Sequence, residues 1–175
     1  YQVVKMAAGV TAKIGRFLFS PIAKRILEQP KSTINFDEVL NGKILICNLS
    51  QGKLGEDTAK LLGTTILTKI QQAAMKRAFI PQKDRKQFHL YVDEFQNFAT
   101  DAFSSILSEA RKYHLDLTIA HQYSAQLPEE VKATACGNVG SMIVFAVGGD
   151  DASYLSKEFA PTFSPNDMIN LNVRE

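Results

Sequence analysis

Short, densely apolar runs alternate with longer helical patterns along this chain, and that alternation limits its fold more than any other feature. Four runs stand out, at residues 44–49, 88–92, 115–120 and 142–147. Each is short, and most are rich in β-branched or aromatic residues. Near-continuous apolar character of this kind predicts strands covered on both faces, as in a parallel sheet. Helical periodicity fills the gaps between them. Over residues 56–78, Leu61, Leu62, Thr65, Ile66, Ile70, Ala73 and Ala74 recur at three- and four-residue spacing, with Glu56 and Asp57 at the start and Lys76 and Arg77 at the end, which suits the helix dipole. Residues 101–113 and 150–159 carry further helices. Another is expected over about 12–28, bent or interrupted at Pro21 and ended by Gln29-Pro30. Strand–helix–strand alternation predicts right-handed crossovers in an α/β fold: a layered, mainly parallel sheet flanked by helices.

Size and composition fit that expectation. The 175 residues suffice for one domain with a core, read as a helical lead-in over 1–35 and a sheet core over 36–175. Apolar residues make up 45 % and charged residues 22 %, the balance of a globular chain and not of a disordered tail. The formal charge of +2 gives no global signature of a nucleic-acid protein. Cys47 and Cys136 lie among apolar or small residues and are expected to be reduced core thiols. The longest clean apolar run, 142–147, is far below the roughly 20 residues of a membrane-spanning helix. The chain begins at Tyr1 without an initiator Met and reads as cut at both ends.

In such sheets ligands bind beyond the carboxyl ends of the strands, so the residues following each run carry the information. Phe88-His89-Leu90-Tyr91-Val92 leads directly into Asp93-Glu94, the Walker B pattern. An Asp at that place can hold Mg²⁺, usually through water, beside the β- and γ-phosphates of a nucleotide. The following carboxylate has left the strand and can reach the water that attacks phosphorus. A pair of acids opening a helix would give the same pattern for electrostatic reasons alone. Gln122, in Ala120-His121-Gln122, sits at the tip of the third run and can sense a γ-phosphate or the attacking water. Arg111 closes the helix after the carboxylates; it either complements the helix dipole or reaches a neighbouring subunit as an arginine finger. His89, His114 and His121 have no ligand-spaced companions and read as packing or surface residues.

The loop Asn48-Leu49-Ser50-Gln51-Gly52-Lys53-Leu54-Gly55-Glu56 is no phosphate loop, because Gly-x-x-x-x-Gly-Lys-Ser/Thr is absent from the whole sequence. Gly55 instead permits a sharp entry into the long helix. Asp93-Glu94-Phe95-Gln96 is also similar to motif II of UvrD-like helicases, but the Gly-Asp-x-x-Gln stretch of those enzymes is missing. A carboxylate nuclease would need further acids at strand ends; Asp150 and Asp151 are available, without a signature tying them to Asp93. Lys76, Arg77, Lys83, Arg85 and Lys86 form a basic cluster, expected to be a solvated connector.

Taken in order, the loop 44–56, Leu61-Leu62-Gly63, Tyr91-Val92-Asp93-Glu94-Phe95-Gln96-Asn97-Phe98, Leu107-Ser108-Glu109-Ala110-Arg111-Lys112-Tyr113, Ala120-His121-Gln122, Asn138-Val139-Gly140 and Asp150-Asp151-Ala152 resemble the conjugative coupling-protein family. These are the TraD/TraG-type ATPases of type IV secretion, within the HerA/FtsK group, and the resemblance runs over about residues 32–172. It implies a RecA-like P-loop NTPase core lacking its Walker A half, with ATP and Mg²⁺ as ligands. It also implies a homo-hexameric ring on the cytoplasmic side of a bacterial inner membrane, moving single- or double-stranded DNA and meeting a relaxase or other secretion proteins. Carried over, Asp93 matches the magnesium residue, Glu94 the catalytic glutamate, Gln122 the sensor and Arg111 the trans-acting arginine. Such a segment is expected not to hydrolyse ATP unaided. The alternative is a non-catalytic assembly or adaptor domain that retains the fold.

Overall fold

A computed structural model describes residues 20–172 together with Ala8, Gly9, Thr11, Ile14 and Gly15. The helix expected over 12–28 therefore lies largely outside the described residues on its N-terminal side. Its remainder is α1 (Pro21–Leu27), and the pattern is interrupted at Pro21, not bent there: Ser20 is extended, the Pro21 ring occupies a first-turn position, and the Ser20 hydroxyl accepts the Ala23 N–H. Among the described residues no helix is long and apolar enough to cross a membrane.

The chain divides into two compact units, one of residues 1–91 and 109–118, the other of residues 92–108 and 119–175. In the first, α2 (Phe36–Leu40) and α3 (Gln51–Leu54) precede the long α4 (Glu56–Lys76). Gly55 separates α3 from α4 with φ of +78°, the sharp entry expected of it, in a region only glycine enters without strain. Thr58, Ala59, Leu62, Gly63, Leu67, Ile70, Ala73 and Ala74 form the buried stripe of α4, and α2 packs on this helix. The helix tightens into a 3₁₀ turn at Arg77–Phe79.

Strand β1 (Phe88–Val92) and strand β2 (Leu115–Ile119) form a two-stranded sheet. The Phe88 N–H donates to the His114 carbonyl and the Ala120 N–H donates to the Val92 carbonyl, so both strands run the same way, as a parallel pair must when joined by a helical crossover. That crossover is α5 (Asp101–Glu109), continued by a 3₁₀ turn at Ala110–Tyr113. In the second unit follow α6 (Glu129–Asn138), α7 (Gly149–Phe159) and α8 (Pro165–Ile169). Phe95 and Val131 are fully buried there, and the Phe95 and Phe103 rings meet at 4.8 Å.

The α/β character and the parallel pair match expectation, but the sheet is smaller than the four runs suggested. Residues 44–49 and 142–147 form no ladder. Ile44 is 90 % exposed and Ile143 82 %. An apolar run supplies the side chains of a strand, whereas a strand exists only where a neighbour takes its N–H and C=O groups. Nor are the two formed strands covered on both faces. His89 and Tyr91 on β1, and Asp116 and Thr118 on β2, are exposed, and His89 Nδ1 pairs with Asp116 Oδ2 at 3.0 Å across the open face. Cys47 is exposed as well, contrary to its expected place in the core, because the run that carries it is not covered.

Candidate functional site

The end of β1 places the carboxylates. Val92 is buried, Asp93 is exposed and Glu94 is half-buried, the change expected where a strand leaves the core. Two backbone bonds close the ladder here: Ala120 N–H to Val92 O at 2.9 Å and Phe95 N–H to Ala120 O at 2.8 Å. Between them the chain turns at Glu94, whose φ of 50° and ψ of 42° are left-handed. That conformation is uncommon outside glycine and costs on the order of 1 kcal/mol. The buried Phe95 ring and the two ladder bonds hold it.

The side chains converge on Glu94. Its Oε1 accepts from Gln122 Nε2 at 2.7 Å, and its Oε2 accepts from Gln96 Nε2 at 2.5 Å. Asp93 Oδ1 accepts the Glu94 N–H at 2.9 Å. Asp93, Glu94 and Gln122 thus meet at one end of the parallel pair. Gln122 approaches because β2 carries Ala120 into register with Val92, which fixes the two strand exits side by side. The part played by Gln96 was not evident from sequence. The signal was its position two residues past Glu94, where a tight 3₁₀ turn (Phe95–Asn97) brings a side chain back. Gln96 Oε1 is buried without a hydrogen-bond partner, and the contact this side chain makes is the Nε2 donation to Glu94.

His121 neighbours this cluster; desolvation lowers its pKa below the ordinary imidazole value, and the charge of Asp151 pulls the other way. Asp151 Oδ2 also accepts the Ser124 N–H at 3.3 Å. Arg111 lies in the first unit, exposed on the 3₁₀ turn that follows α5. His114 Nδ1 lies 3.0 Å from the Arg85 carbonyl oxygen. Among the described residues no three His, Cys, Asp or Glu side chains group as a metal cage.

The basic cluster is not uniformly a solvated connector. Arg77 is 3 % exposed. Its Nη1 donates to the carbonyls of Lys86 and Tyr113, both at 2.9 Å, and to that of His114 at 3.4 Å; its Nη2 donates to the Leu40 carbonyl. Burial and the nearby Arg85 lower its pKa. The sequence held the signal: Ile70, Ala73 and Ala74 are buried on α4, and position 77 continues the same stripe.

Residues 87–162 match the family described as the TraM recognition site of TraD and TraG. That match supports the conjugative coupling-protein family. The matched residues include both strands, Asp93, Glu94, Arg111 and Gln122, and α6 and α7. No curated protein and no solved structure gives a significant match to the chain.

Proposed function

We propose that this chain is part of a conjugative coupling protein, that its 87–162 segment docks a TraM-type partner, and that Asp93, Glu94 and Gln122 form the carboxylate half of an ATP site in the complete motor. The observation that carries the reading is the coincidence of the TraM-recognition match with the strand-end cluster on one stretch of chain.

The donor set suits Mg²⁺. Magnesium is bound by one or two carboxylates, with waters and substrate phosphates completing its shell. Asp93 offers one exposed carboxylate at the end of a strand, with only Oδ1 engaged by the adjacent backbone N–H. When bound, the ion would neutralise charge on the phosphates. Glu94 would orient the attacking water. Each of its oxygens accepts one amide proton here and keeps a second lone pair that a water could use. Gln122, on the loop after β2, would report the state of the nucleotide. Arg111 would serve a neighbouring subunit of a homo-hexamer in trans, with a RecA-like core completed by a phosphate loop from elsewhere in the motor. Such a motor would move DNA and meet a relaxase at the cytoplasmic face of the membrane.

In the complete coupling protein, Glu94→Gln should reduce ATP turnover by at least about a hundredfold while leaving nucleotide binding within a few-fold, since the amide keeps the shape and loses the base. Wild-type turnover in this variant would remove Glu94 from the chemistry. The adaptor reading is favoured by the matched family's description, which names a recognition site and not an enzyme. Calorimetry of this chain against a purified TraM-type protein, paired with the turnover assay, separates the two. Binding with full turnover in Glu94→Gln would leave the adaptor alone.

A further inference from the structure

The connector between α4 and β1 is tied down by its own hydrogen bonds and carries a concentrated positive charge. Residues 75–87 hold five cations, Lys76, Arg77, Lys83, Arg85 and Lys86, against one acid, Asp84. Two 3₁₀ turns shape it, Arg77–Phe79 and Gln82–Asp84. The Ile80 N–H donates to the Arg77 carbonyl at 2.9 Å, and the Asp84 N–H to the Pro81 carbonyl at 2.9 Å. Arg85 closes the loop on itself: its Nε donates to the Ile80 carbonyl at 2.8 Å and its Nη1 to the Lys112 carbonyl. Carbonyl dipoles thus hold both Arg77 and Arg85, and neither meets a carboxylate among the described residues.

The same loop turns apolar side chains to water. Phe79 is 92 % exposed, Met75 one helical turn earlier is 48 % exposed, and Ile80 and Pro81 are exposed beside it in the chain. A phenylalanine displayed on a hydrogen-bonded turn adds nothing to the core and leaves a large apolar area uncovered. Lys76, Lys83 and Lys86, which flank it, are exposed as well. Lys83 makes no ion pair among the described residues, and Lys76 meets Asp37 at 2.9 Å out on the exposed surface.

An apolar tip flanked by lysines suits a bilayer interface. Apolar side chains sink towards the acyl boundary while ammonium groups stay among anionic headgroups on long, flexible stems. Single-stranded nucleic acid fits less well, since it needs successive aromatic faces along a basic groove. Phe79 is the one aromatic residue of 75–87, and its apolar neighbours are aliphatic. We propose that this connector docks on an anionic lipid surface, with Phe79 and Ile80 inserted at the interface and Lys76, Lys83 and Lys86 against the lipid phosphates.

The chain contains no tryptophan, so Phe79→Trp supplies a single reporter at the tip. Vesicles of mixed phosphatidylglycerol and phosphatidylcholine should shift its emission to the blue, and acyl-brominated lipid should quench it. Pure phosphatidylcholine vesicles should do neither. In co-sedimentation with the mixed vesicles, Phe79→Ser should weaken binding about fivefold or more. Gln82→Glu with Lys83→Glu should weaken it at least about tenfold, with circular dichroism unchanged, because neither side chain makes a hydrogen bond among the described residues. No binding to the mixed vesicles, equal binding to the neutral ones, or binding that survives both variants would overturn the proposal. A tryptophan signal that responds to a single-stranded oligonucleotide and not to the vesicles would overturn it too, and would assign the connector to nucleic acid.

Discussion

Glu94 and Arg77 adopt states that ordinary propensity disfavours, and each is held by neighbours that can be named. Glu94 is left-handed, fixed by the ladder bonds on either side and by the buried Phe95. Arg77 is a buried cation with no carboxylate among the acceptors of its guanidinium; backbone dipoles alone satisfy it. Hydrogen bonds from charged donors are worth about 1.5–3 kcal/mol, and stranded buried carbonyls cost about as much again. Removing the desolvation cost of the guanidinium offsets part of this loss. Arg77→Met is therefore expected to destabilise the chain by about 3 kcal/mol in urea unfolding, and Arg77→Lys by less. A loss below about 1 kcal/mol for the methionine variant would show that water replaces the guanidinium. The acidic pair and Gln122 were legible in the sequence because strand ends in an α/β sheet are where polar residues collect. Gln96 and Arg77 were harder to read: a hydrogen bond made by a turn, and a charge on an apolar stripe, are visible only once neighbours are in place.

At the scale of elements, the patterns with their own internal period were readable. Helix α4 ends two residues short of expectation, and α5 and α7 begin within one residue of it, because a helix satisfies its backbone within itself. The runs at 44–49 and 142–147 were read as strands and are not paired, since a ladder depends on a partner that composition does not name. Helix α6 was not anticipated, its few apolar residues giving little amphipathic contrast. Its contact with α7 has a measurable consequence. The Tyr154 hydroxyl on α7 donates to Cys136 Sγ on α6 at 3.6 Å, and Lys132 lies 3.8 Å over the Tyr154 ring. The bond to Cys136, then burial, then the charges of Cys136, Glu129 and Glu158 push the Tyr154 pKa up to about 12 from 10. The folded state therefore holds this proton more tightly than the unfolded one. Its contribution is complete below about pH 10 and is lost as pH rises towards 12. Ultraviolet titration should show one tyrosine ionising late, absent in Tyr154→Phe, and the variant should lose less stability between pH 10 and 12. An unchanged titration in the variant would dismiss the assignment.

For the whole molecule, the modest net charge of +2 hides a division. Residues 87–162 hold ten of the 18 acidic residues and four of the 20 basic ones. The segment matched to the TraM recognition site is therefore acidic within a chain that is otherwise basic. A partner that docks there is selected first by opposite charge, since long-range attraction governs encounter and rejects like-charged surfaces. If the proposed docking is correct, affinity for a TraM-type protein should fall about tenfold or more between 50 and 300 mM salt, as exposed charges are screened. The loss should fall mainly on the association rate. Glu129→Lys with Glu130→Lys, at the acidic start of α6, should reproduce the loss at low salt while circular dichroism stays unchanged. Salt-independent binding would instead point to the exposed apolar positions of the segment, Ile143 and Phe145 among them. The partner would then recognise the unpaired run at 142–147, with charge playing no part in the choice.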